Sequence, residues 1–102
     1  MYLWIDDVRP PPDDSWHWAK TSKEALDVLG CGVQVISFDH DLGGDDTTMP
    51  VAIEIERRAF AGRPIPDVWH IHSANPVGRK NLEAALRKAD WFRAQNAEEA
   101  GL

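Results

Sequence analysis

The chain has 102 residues, a 43% apolar fraction, five tryptophans and a formal net charge of −6. That size supports one domain around one modest core, and the apolar content excludes a disordered chain. The acidic balance excludes an extended nucleic-acid surface, although a local cation cluster or a bound metal can still receive a small phosphorylated ligand.

No apolar run approaches the roughly 20 residues needed to cross a membrane, and the start MYLWIDDVRPPPDD lacks the basic region and cleavage pattern of a secretory signal. The lone cysteine, Cys31, cannot form an internal disulfide. It is expected as a small buried group after a helix, and the expected compartment is the cytoplasm.

In chain order, YLWI (2–5) is short, apolar and aromatic and ends in Asp6-Asp7, which predicts a buried strand. RPPPDD (9–14) is a loop, because three prolines fit neither a ladder nor a helix interior. Trp16 and Trp18 alternate with His17 in a short strand, and Thr21 to Glu24 forms a capping box for a helix that stops at Gly30. VQVISF (33–38) is a second strong strand, followed by a polar loop from Gly43 to Thr48. A helix then carries Pro50 in its first turn, with Val51, Ile55 and Ala59 on one face and Gly62 after its end. DVWHIHS (67–73) is the third strong strand, and Asn75-Pro76 opens a last helix with Leu82, Ala85, Leu86 and Ala89 facing inward. The domain is placed at residues 1–93, with 94–102 as a polar tail prone to fray.

Strands alternating with helices predict an α/β fold with a mainly parallel sheet of about four strands. In such sheets ligands bind where loops leave the carboxyl ends of the strands. Asp6 and Asp7 leave the first strand, Asp39, His40 and Asp41 a second, and His72, Ser73 and Asn75 a third. Three strand ends thus place their unusual polar groups on one edge. Asp6, Asp7, Asp39 and Asp41 would repel one another unless some are protonated or a cation lies between them. Hard oxygen ligands favour Mg²⁺, and Mn²⁺ enters if His40 or His72 also ligates. The plainer reading makes these aspartates helix caps and turn formers.

The acidic pair, the aspartate closing a central strand and the Ser73 closing a later one resemble the phosphoacceptor receiver domain. That resemblance implies metal binding by Asp6 and Asp7, phosphorylation at Asp39 and a phosphoryl contact from Ser73. The chain departs from it after residue 76, where nothing reads as a fifth strand and Lys80 and Lys88 fall inside a helix. WIDDVRPPP, ISFDHDLGG and IHSANPVG, in that order, more closely resemble the cyclic-phosphate-processing receiver-like domains, over roughly residues 2–80. These are small proteins, often carried by phages and bacteria. This implies a small three-layer sandwich with shortened receiver (flavodoxin-like) topology, acting on a cyclic phosphate.

The expected chemistry is metal-assisted opening or hydrolysis of a cyclic phosphodiester on a nucleotide or an RNA terminus. Asp6, Asp7, Asp39 and Asp41 are the candidate metal ligands. His40 and His72, with Asp39, are the candidate catalytic groups, because imidazole titrates near neutral pH. Arg9, Ser73, Asn75 and the amides around Gly78 are the candidate phosphate contacts. Each has a structural alternative: Arg9 pairing with Asp6 or Asp7, His72 a satisfied strand-end histidine, Asn75 a helix cap. His70 is expected in the core or behind the site, and His17 on the surface. Trp16 and Trp18 are core, a lid under the proline loop, or a stacking surface for a base. Two other functions fit the same residues: a phosphoacceptor signalling or protein-interaction module, and a non-catalytic binder of a cyclic nucleotide or a partner protein. An oligomer is compatible with all of them.

Overall fold

Four short parallel strands and three helices make up the computed structural model, which describes residues 1–99 and 101. The strands β1 (Tyr2–Ile5), β2 (Trp16–Ala19), β3 (Val35–Phe38) and β4 (Val68–Ile71) lie in the order β2-β1-β3-β4. The helices are α1 (Ser22–Leu29), α2 (Met49–Phe60) and α3 (Pro76–Glu99). The expected α/β class is therefore present, and the sheet expected to be mainly parallel is parallel throughout, although β3 starts two residues later than its apolar run and β4 is shorter than its run at both ends.

Register decides which side chains meet. Leu3 aligns with Ile36, Ile5 with Ala19 and Phe38, and Phe38 with Ile71, so these side chains share one face. They join a single core with Ala25 and Leu29 of α1, Val51, Ala52, Ile55 and Ala59 of α2, and Leu82, Leu86 and Ala89 of α3. All three helices thus serve the same face. Strand alternation puts Tyr2, Trp4, Trp16, Trp18, Val35, Ser37, Val68 and His70 on the opposite face. There the third layer is the loop 6–15, held by the Trp4 indole N–H donating to the Arg9 carbonyl at 2.8 Å. Tyr2 and Trp4 meet Trp16 edge to face at 5.3 and 5.7 Å beneath it.

Several expectations change for local reasons. Cys31 is exposed, because its amide closes a turn on the Val28 carbonyl and Gly32, at φ 90°, swings the chain outward. His70 is exposed on the outermost strand, on the face no helix covers, and so lies outside the core. From residue 94 the polar segment continues α3 to Glu99, where the Asn96 amide donates to the Ala59 carbonyl at 2.7 Å. Ala100 and Leu102, the rest of the expected tail, lie outside the described residues.

Helix α1 has its expected start. The Thr21 hydroxyl accepts the Glu24 amide at 3.1 Å, while the Glu24 carboxylate accepts the Lys20 amide. Thr21→Ala should cost about 1 kcal/mol, measured as a lower urea midpoint at unchanged slope. An unchanged midpoint would show that the cap is redundant.

Candidate functional site

Because β1 and β3 pair directly, Asp6 and Asp39 leave neighbouring strands at one edge; the Asp39 amide donates to the Ile5 carbonyl at 2.9 Å. Asp6, Asp7 and Asp39 bring carboxylate oxygens within 4.8 Å of one another. Asp6 is buried, and the other two are partly exposed. Among the described residues no lysine or arginine forms an ion pair with any of the three. Three hard oxygen donors gathered without a counter-cation fit a divalent ion. Gly43, at φ 89°, lets the next loop pass close to this group: a Cβ there would stand 3.3 Å from Asp7 Oδ2.

Asp6 is the most constrained of the three. Its Oδ1 accepts the Val8 and Arg9 amides at 2.9 and 2.8 Å, which closes the turn after β1. Its Oδ2 lies 3.0 Å from His72 Nε2, whose Nδ1 lies 2.7 Å from the Ser37 hydroxyl. The His72 ring stacks on the Trp4 indole at 3.9 Å between centroids and 3° between planes. Burial pushes His72 below the usual imidazole range and outweighs the hydrogen bond and charge of Asp6. The ring is neutral at neutral pH, and both of its nitrogens are engaged. Neither nitrogen is free for acid or base work on a ligand, and the ring holds the Asp6 carboxylate instead.

His40 is arranged differently. Its Nδ1 lies 3.1 Å from Asp41 Oδ1, and Asp41 Oδ2 accepts the Asn75 side-chain amide at 3.1 Å. Those two hydrogen bonds, the Asn75 one first, hold the Asp41 carboxyl below its usual range. His40 Nε2 has no hydrogen-bond partner, and no side-chain nitrogen or oxygen among the described residues is both buried and unpartnered, so this nitrogen reaches solvent. A carboxylate-oriented imidazole with one open nitrogen is the arrangement a general base needs. Asp41 orients His40, and its carboxylate is not one of the three that gather at the acidic cluster.

The start of α3 engages two of the expected phosphate contacts in hydrogen bonds of its own. Asn75 Oδ1 accepts the Val77 and Gly78 amides at 3.2 and 3.1 Å, so Asn75 is a helix cap and neither N–H is open to an anion. Gly78 matters for space: a Cβ there would come within 2.2 Å of His40 Cγ. Ser73 is buried, and its oxygen accepts the Asn75 amide at 3.1 Å, leaving its own proton to donate. The Arg9 guanidinium pairs with neither Asp6 nor Asp7; its Nη1 donates to the His72 carbonyl at 3.3 Å.

Residues 1–88 match the family model described as the cyclic-phosphate processing receiver domain. The chain belongs to that family. No curated protein and no solved structure matches it. Within this receiver domain three contributors escape a reading by motif. Trp4 and Ser37 sit inside runs that read as plain core strand, and only the hydroxyl between Ile36 and Phe38 is out of character. Thr48, fully buried, sends its hydroxyl to the Asp39 carbonyl at 2.5 Å while its amide holds the His40 carbonyl at 2.9 Å. It fixes the loop that carries both residues. Among the described residues no helix is long and apolar enough to cross a membrane.

Proposed function

We propose that this receiver domain opens a cyclic phosphodiester by metal-assisted hydrolysis. The observation that carries the reading is the uncompensated Asp6, Asp7 and Asp39 cluster beside the Asp41-oriented His40 imidazole. Family membership supports a cyclic phosphate as the substrate class, and the form proposed is one on a nucleotide or an RNA terminus.

The three carboxylates would hold the cation, Mg²⁺ with Mn²⁺ as the alternative. When bound, it would polarise a phosphoryl oxygen and lower the pKa of water. His40 Nε2 takes a proton from the attacking water, and the Asp41 carboxylate steadies the imidazolium. A P–O bond forms to the water oxygen and one ring P–O bond breaks. The released ester oxygen takes up a proton, so a cyclic diester and water become an open monoester. The Arg9 guanidinium and the Ser73 hydroxyl would contact the phosphoryl oxygens.

The test is a panel of RNA 2′,3′-cyclic phosphate, cyclic mononucleotides, cyclic dinucleotides and a cyclic ADP-ribose product, each with Mg²⁺, Mn²⁺ or EDTA. Product mass should show the gain of one water for at least one member, in the metal arms only. Binding without product across the panel would favour a non-catalytic binder. A stable phosphoryl adduct on Asp39 after a small phosphodonor would favour the phosphoacceptor reading.

A further inference from the structure

Within β3, Ser37 is 3% exposed and faces the side of the sheet that no helix covers. A carboxylate can only accept, so His72 Nε2–H donates to Asp6 Oδ2 over 3.0 Å. On the other side of the ring, Nδ1 lies 2.7 Å from the Ser37 hydroxyl. One hydrogen-bonded chain links Ser37 through His72 to Asp6. The Trp4 indole, 3.9 Å away and parallel, blocks tilting of the ring.

We propose that Ser37 is a positioning residue for the divalent-cation site: its hydrogen bond to His72 Nδ1 fixes the ring orientation that holds Asp6 Oδ2 in place. The Val8 and Arg9 amides fix the other oxygen, so the whole carboxylate is set before any cation arrives. Removing the hydroxyl leaves His72 Nδ1 without its partner and frees the ring to flip. Asp6 then loses one of its three donors. This inference rests on the metal-site reading above.

The test uses the full chain with Mn²⁺ alone as probe, followed by electron paramagnetic resonance or calorimetry. The Ser37→Ala variant should bind Mn²⁺ about tenfold more weakly or worse, in the range expected when the outer partner of a ligand is lost. Ser37→Thr, which keeps the hydroxyl, should stay near the unsubstituted protein. Ring ¹⁵N signals of His72 in the unsubstituted protein should report a proton on Nε2 and a single ring state, and show more than one state in Ser37→Ala. A Ser37→Ala protein, folded by circular dichroism, with unchanged Mn²⁺ affinity overturns this proposal alone, as does an Nδ1–H tautomer in the unsubstituted protein. No Mn²⁺ binding by the unsubstituted protein overturns the metal reading itself, and this proposal with it.

Discussion

His40→Ala is expected to lower turnover of the cyclic phosphate by about 10²–10⁴-fold, the usual contribution of a placed general base. Mn²⁺ affinity and the thermal midpoint should change little, because the ring is neither one of the gathered carboxylates nor a member of the core cluster. Gly78→Ala offers an independent route to the same outcome. Its added methyl would lie 2.2 Å from His40 Cγ and 2.6 Å from Cδ2 and Nδ1, too close for any rotamer adjustment at the far end of the ring. Alanine is favoured over glycine in a helix by about 1 kcal/mol, so α3 has reason to keep its place and displace the imidazole. Asp41 would then orient nothing. Steady-state rates for both variants, beside their melting curves, check the pair. Full activity in Gly78→Ala would show that the His40 position is not what the reaction needs.

The second large effect is on stability. Phe38 is fully buried in the central strand β3 and joins the core shared with all three helices. Phe38→Ala should cost about 3–5 kcal/mol, since the cavity cannot close between a sheet and three helices. Domains of this kind are held by roughly 5–15 kcal/mol in total, and each kcal/mol moves Tm by roughly 4–8 °C near this size. Much of the protein should be unfolded at 37 °C. Phe38→Leu, closer in volume, should be far milder. Chemical denaturation of both variants decides the point, and equal losses would mean that packing shape is not the source.

How much of this could be read without coordinates follows from what fixes each contact. Runs such as YLWI and VQVISF announce strands by composition, and in a parallel sheet their carboxyl ends must share an edge. Asp6, Asp7 and Asp39 were therefore within reach of sequence, as was the Thr21 cap. The partners of each side chain were not. Asp6 and His72 are 66 residues apart, and only the register of β1, β3 and β4 brings His72 over Ser37 and beside Trp4. Asp39 and Asp41 look alike in ISFDHDLGG, yet one turns toward the acidic group and the other toward His40 and Asn75. That division arises from side-chain directions around a turn closed by Thr48, which no spacing rule encodes. Asn75 reads equally well as an anion contact and as a cap, and only the coordinates show its Oδ1 accepting the Gly78 amide at 3.1 Å as a cap does.

The loop 6–15 does two jobs at once. It roofs the aromatic side of the sheet through the Trp4 to Arg9 bond, and it supplies Asp6, Asp7 and Arg9. Loops ordinarily absorb insertions and deletions with little harm. This one has no such tolerance, since one residue more or less would uncover the indole and shift the carboxylates together. Engineered changes of length, tags or fused modules belong instead at the far rim, in the exposed Gly62–Pro64 stretch after α2, where neither task is touched.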